Sequence, residues 1–205
     1  MTDGLPSIAQ AEALLQEGWK INPGPWADHC RMVGRAARII AEHCPGMDPQ
    51  RAQVLGMLHD IGRRFGPMDM NHVVLGYRFA LEHGMPGVAR ISLTHSFAIQ
   101  DVQCAAGNWD CPAADVDMVR EYLAAIEYDD YDRLIQLADY LGIAGGFTTL
   151  EPRMVDVTLR RGFNAWTLEK WRAAYRLLDY FEDRMGQPLY PLLPGLAERV
   201  LRRGR

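Results

Sequence analysis

Six histidines carry the most obvious chemistry in this 205-residue chain: His29, His43, His59, His72, His83 and His95. Imidazole changes charge near neutral pH and is the commonest protein ligand for transition metals. Position divides the six. His43 follows Glu42 near the end of an apolar-periodic run, and His83 lies in "LEHG". Both read as cations at helix C-termini, where the last carbonyls and the helix dipole favour them. His29, His59, His72 and His95 each fall on a different helical run. A bundle brings such residues to one point.

Two acids belong with them. "VLGMLHDIGRRFG" sets Asp60 beside His59 at the end of an apolar run, followed by Gly62, Arg63 and Arg64. Asp139 sits in "RLIQLADYLGI", flanked by Leu134, Ile135, Leu137, Ala138 and Leu141. A carboxylate in such surroundings costs much desolvation energy unless it is paired or bound to metal. The alternative is an outward-facing Asp on an amphipathic helix. Asp60 beside His59 favours a shared site. Imidazole nitrogens with carboxylate oxygens suit iron, manganese, zinc or nickel rather than a dedicated magnesium or calcium cage.

The ordered set His29, then His59–Asp60, then Asp139 resembles the HD-domain metal-dependent phosphohydrolase superfamily. "LHDIGR" looks like its H-D core, and "LIQLADYLG" like its last metal-binding helix. The run "NHVVLGYRFALEHGMPGVARISLTHS", which holds His72 and His95, resembles the two-metal branch, and most closely the symmetrical dinucleoside tetraphosphate hydrolases. The resemblance spans about Trp26 to Gly142. "THSFAIQ" lacks the paired histidines and G-Y-P of the cyclic-dinucleotide phosphodiesterases, so that activity is not expected. Arg63 stands where the family often has Lys, which replaces a point charge by a planar fork.

The resemblance implies a two-metal centre holding two divalent transition-metal ions, iron or manganese first, zinc or nickel as alternatives. His29, His59 and Asp139 would hold one ion, His72 and His95 the other, and Asp60 would bridge them. The implied reaction is phosphoester or phosphoanhydride hydrolysis of a nucleotide or dinucleoside polyphosphate by a metal-activated hydroxide. Arg63, with Arg64 second, would clamp a phosphate once Gly62 ends the helix and lets the chain turn; a solvated helix end is the other reading of these arginines. Asn108 and Trp109, in the irregular stretch "QDVQCAAGNWDCPAAD", are candidates to cover a base, although a loop Trp is commonly a packing anchor. Two other functions fit the same residues: a di-iron oxygenase, and a non-catalytic nucleotide-binding regulator.

The elements that must position these residues are helical almost throughout. Ser7 opens a run that stops at Gly18, Pro25 starts the next, Asp48 and Pro49 a third, and Asn71 caps a fourth. Further runs cover "PGVARISLTHSFAI", "VDMVREYLAAIEY" and "DYDRLIQLADYLGI", and two or three more follow "GGFTTLEP". With no strand pattern of useful length, the expected fold is all-α: an HD-domain-like bundle over residues 1–145 and a helical extension over 146–205 packed on it as one unit.

Composition sets bounds. Hydrophobic residues make up 48% and charged residues 23% of the chain, a globular balance. A net charge of −4 argues against sequence-independent nucleic-acid binding. Cys30, Cys44, Cys104 and Cys111 show no C-x-x-C pairing and read as reduced thiols, and the N-terminus lacks a signal-peptide pattern, so a cytoplasmic protein is expected. No apolar run approaches the ~18 residues of a membrane span. The expected partner is a phosphorylated small molecule, and a homodimer is compatible with the sequence.

Overall fold

The structure, a computed structural model, describes residues 4–202. α1 (Ile8–Ile21) begins at a reciprocal capping box between Ser7 and Gln10. It continues through Gly18, which is buried against the Trp26 ring, so the expected stop moves to Asn22. α2 (Trp26–His43) follows Pro25, and α3 (Pro49–Leu58) is capped by the Asp48 carboxylate, which accepts from the Gln50 and Arg51 amides. A short 3₁₀ helix (Ile61–Phe65) leads to α4 (Asn71–Glu82).

Asn71 is the first residue of α4 rather than its cap. The Asp110 carboxylate instead accepts from the Asn71 and Asp69 amides at 2.7 Å each. A distant loop thus satisfies helix-terminal donors that sequence proximity could not identify.

α5 (Pro86–Thr94), α6 (Ala113–Ala125) and α7 (Asp130–Leu141) complete the first part of the bundle, α7 starting from an Asp129–Asp132 capping box. A two-residue antiparallel hairpin, β1 (Gly142–Ile143) with β2 (Gly146–Phe147), pairs Gly142 with Phe147. α8 (Leu150–Arg161), α9 (Thr167–Met185) and α10 (Leu196–Arg202) follow, and Gly186 ends α9 in the left-handed conformation. The fold is all-α, and the hairpin supplies the only strands among the described residues.

The tightest helix pairing is α2 on α3. A Cβ on Gly34 would lie 2.7 Å from the Gln53 carbonyl oxygen, and one on Gly56 would lie 2.7 Å from Gly34 Cα. Only two glycines facing one another permit that approach. One apolar cluster runs from Leu15 through Val33, Leu58 and Leu134 to Phe181 and Leu196, so α8–α10 pack on the same core as α1–α5 and α7. Each fully buried Leu or Phe contributes roughly 1.5–3 kcal/mol. The expected boundary at 145/146 falls between the two strands of the hairpin. A smaller cluster, including Val73, Leu93, Phe97 and Leu123, joins α4, α5 and α6. No helix among the described residues is long and apolar enough to cross a membrane.

Candidate metal centre

All six expected ligands lie at or next to helix ends. His29 is in the first turn of α2, His59 directly follows α3, and Asp60 leads into the 3₁₀ helix. His72 is the second residue of α4, His95 directly follows α5, and Asp139 lies in the last turn of α7. The Gly34–Gly56 contact draws the first two helices together. Gly62 does the same for the next pair: its Cβ would sit 2.0 Å from the His72 carbonyl oxygen. Its expected role as a helix stop is therefore corrected, because α3 already ends at Leu58 and Gly62 serves close approach to α4.

Backbone carbonyls orient every imidazole. Nδ1 of His29 lies 2.9 Å from Gly142 O, that of His59 2.7 Å from Gly56 O, that of His72 2.5 Å from Asp69 O, and that of His95 3.0 Å from Ile91 O. A carbonyl only accepts, so Nδ1 donates in each contact and Nε2 is the nitrogen turned inward. This is the outer contact typical of metal-ligating histidines. His43 and His83 also meet helical carbonyls through Nδ1, but at separate helix ends outside the cluster.

The inward atoms form two triples: His29, His59 and Asp139, and Asp60, His72 and His95, the ligand atoms of each lying within 4.8 Å of one another. Asp60 touches both, with Oδ1 3.0 Å from His72 Nε2 and 3.5 Å from His95 Nε2, and Oδ2 3.8 Å from His59 Nε2. Asp139 Oδ1 lies 2.9 Å from His29 Nε2 and 3.7 Å from His59 Nε2. The inward Nε2 atoms therefore face carboxylate oxygens. His59 Nε2 and Asp60 Oδ1 are buried without a hydrogen-bond partner. Buried polar atoms left in that state are costly. Cations between these atoms would satisfy the orphaned groups, so the donor set fits divalent transition metals.

Charge states agree with that chemistry. Burial pushes His59 down to about 3, against the opposing pull of Asp60. Burial also lowers His72. In His95 burial is outweighed by the hydrogen bond and charge of Asp60, which raise it. Burial opposes ionisation of Asp60, but Arg63, His72 and His59 hold its carboxyl well below the usual range. Burial likewise opposes ionisation of Asp139, and the His29 hydrogen bond and charge overcome it. The site thus presents anionic oxygens beside two rings, His59 and His72, that resist protonation.

A match to the HD domain covers residues 26–143, from the first residue of α2 to the end of β1. The chain belongs to the HD domain family. The search of curated proteins found no match. All six ligand candidates lie inside the HD domain, and the helices beyond Ile143 lie outside it.

The HD centre opens on a cavity of about 610 Å³, a size suited to a small-molecule ligand. Arg63 lines it, with Nε 2.5 Å from Asp60 Oδ2 and Nη2 3.5 Å from His72 Nε2. Arg64 does not: it is buried, stacks over Phe79 at 4.3 Å and reaches Glu17 at 3.2 Å. At three residues per turn, neighbouring side chains of a 3₁₀ helix diverge by about 120°. Trp109 also departs from expectation. Its ring stacks on Phe97 at 6.1 Å and its N–H donates to the Val102 carbonyl, within the second apolar cluster. Asn108 lines a neighbouring recess instead of the cavity.

Several residues in or beside the cavity escaped the sequence reading of the site. Cys30 lies beside His59 and Asp60, and burial followed by the Asp60 charge keeps its thiol well above the usual range. Ser96 Oγ is 3.0 Å from His95 Nε2. From beyond the HD domain come Arg153, Arg160, Arg161 and Lys170. Their only sequence signal was the i, i+7, i+8 spacing of arginines in "PRMVDVTLRR".

Proposed function

We propose that this HD-domain protein is a metal-dependent phosphohydrolase, with two divalent transition-metal ions held by His29, His59 and Asp139 on one side, by His72 and His95 on the other, and shared by Asp60. The observation that carries the reading is the pair of His/Asp triples, one fully buried and the other partly so, with Asp60 of the first 3.8 Å from His59 of the second and with orphaned ligand atoms, at the floor of a cation-lined cavity. Bound there, such ions supply an acidified water and Lewis-acid stabilisation of phosphoryl oxygens.

The chain's own residues do the rest. The four Nδ1–carbonyl contacts fix the rings before ligands arrive, so no reorganisation is needed at the reacting centre. Asp60 stays ionised under Arg63. That guanidinium sits between the ligand floor and the open cavity, where its remaining N–H groups reach a phosphoryl oxygen in planar, bidentate fashion. Arg153, 3.7 Å from Asp139 Oδ1, offers a second cation on the opposite side. The cavity volume suits a nucleotide-sized ester or anhydride. The likeness of the His72–His95 stretch to two-metal hydrolases of dinucleoside tetraphosphates supports that substrate class.

The test has two parts. Protein purified without oxygen should carry close to two transition-metal ions per chain by elemental analysis. A library of nucleotides, including diadenosine polyphosphates, should then release phosphate or a nucleotide product with iron or manganese supplied separately. Absence of phosphorus–oxygen cleavage across the library would refute the hydrolase reading, and an oxygen-dependent product would replace it by the oxygenase one.

A further inference from the structure

Beyond the HD domain, α8 and α9 place Arg153, Arg160, Arg161 and Lys170 along one wall of the cavity. Three of them have carboxylate partners. Arg160 pairs with Asp156 one turn away, Arg153 approaches Asp139, and Arg161 holds Asp69 through two contacts of 2.8 Å. Lys170 has no carboxylate partner among the described residues, and it is partly buried against the cavity. Such an ammonium, half withdrawn from water, favours an anionic ligand.

The wall is fixed relative to the centre. Asp69, gripped by Arg161, is the residue whose carbonyl oxygen accepts from His72 Nδ1. The same carboxylate accepts from the Asn108 amide at 2.7 Å. Arg161 is therefore one side chain away from a ligand candidate.

The space also continues past the wall. A recess of about 190 Å³, lined by Asn108, Asn164 and Gly107, shares Arg160 and Arg161 with the main cavity. Those two arginines thus stand between two spaces. A compact orthophosphate at the HD centre would leave them without a ligand. An anion that carries charge along its length would meet Arg63 and, from α8 and α9, Arg153, Lys170, Arg160 and Arg161 as well.

We propose that the α8–α9 wall binds the distal phosphates of a substrate containing a phosphoanhydride chain, so that the residues outside the HD domain set the preference for chain length. This rests on the hydrolase reading for its substrate, but it concerns binding and is testable without turnover. Arg160 and Lys170 act on specificity through contact with phosphates remote from the bond that breaks.

The test uses the full chain with its bound metal and three probes that resist hydrolysis: orthophosphate, imidodiphosphate and the β,γ-imido analogue of ATP. Titration calorimetry on the wild type should show affinity rising with chain length, by at least about tenfold from orthophosphate to the longest probe. Lys170→Gln and Arg160→Gln should each remove about three- to tenfold of affinity for the longer probes, the scale of one charge-assisted contact, and leave orthophosphate unchanged. Lys170→Arg should restore most of the loss. Lys20→Gln, at an exposed charge that does not line the cavity, should change nothing. Equal binding of all three probes, or equal losses in Lys20→Gln and Lys170→Gln, would overturn the proposal. A fourth probe, diimidotriphosphate, matches the ATP analogue in chain length: preference for the ATP analogue over it marks a nucleotide as the source of the chain, and equal affinity for these two, both above orthophosphate, marks the phosphates alone. Chain-length-dependent binding without turnover of any substrate would remove the hydrolase reading and keep this one. Turnover with chain-length-independent binding would do the reverse.

Discussion

The two walls of the cavity are built on opposite principles. The floor, from α2 to α5 with α7, uses buried imidazoles and carboxylates. The imidazole Nδ1 atoms are tied to backbone carbonyls, and two inward atoms, His59 Nε2 and Asp60 Oδ1, are left without a hydrogen-bond partner. The far wall, from α8 and α9, uses arginines that remain partly in water and pair with acids on their own helix or across the cavity. The floor is rigid and its atoms are interdependent; the wall is graded and its members act separately. Removal of one group should therefore be catastrophic at the floor and incremental at the wall.

The largest expected effect is that of Asp60→Ala. It deletes the carboxylate of one triple, which also lies 3.8 Å from His59 of the other, and leaves Arg63 partly buried without its anion. Bound metal and turnover should fall together, turnover on the order of a thousandfold, the scale of losing a preorganised charge at a reacting centre. Full metal occupancy in this variant would break the view that Asp60 joins the two triples.

Acid should come next. His59 takes its proton at about 3 in the folded chain, against 6.5 when free. Between those values the unfolded chain holds a proton that the folded chain refuses, so stability falls as pH drops through this window. For this one group the slope reaches at most ~1.4 kcal/mol per pH unit. His72, also lowered, adds to the loss, and His95, raised, partly offsets it. Chelator-treated protein whose melting temperature rises from pH 6.5 to pH 4 would contradict the burial argument for the floor.

Gly62→Ala tests the packing that holds the floor together. Its methyl group would meet the His72 carbonyl at 2.0 Å and force the 3₁₀ helix away from α4. Overpacking of this kind costs ~1–3 kcal/mol, which thermal unfolding should register as a loss of several degrees. An unchanged melting temperature would mean that the two elements do not touch there. The smallest effect belongs to the wall. Arg160→Gln should leave metal content unaltered and shift stability by no more than ~0.5 kcal/mol, as surface substitutions do. Loss of metal in that variant would erase the distinction between floor and wall.

Legibility followed the same division. The floor could be read from residue types, because few arrangements explain four histidines and two acids set in otherwise apolar helices. Capping boxes and proline starts located most helix ends for a similar reason, being contacts between residues three apart or fewer. Gly18 and Asn71 misled because their partners, Trp26 and Asp110, are distant in sequence. Arg64 and Trp109 misled because adjacency and loop placement do not fix direction: a 3₁₀ turn sends one of two neighbouring arginines to the cavity and the other to Phe79, and Phe97 claims the indole. Arg153, Arg160, Arg161 and Lys170 could not be found, since a charged helix face has the same pattern whether it meets bulk water or a cavity.

By itself, then, the sequence determined the all-α class, the helix order and the chemistry of the ligand set, since propensity, capping and ligand preference are local properties of residue type. Tertiary structure decided which nitrogens point inward, how Asp60 stands between two triples, and which arginines line the cavity. Those outcomes depend on close approaches, such as Gly34 on Gly56 and Gly62 on His72, between residues that only the folded chain brings into contact.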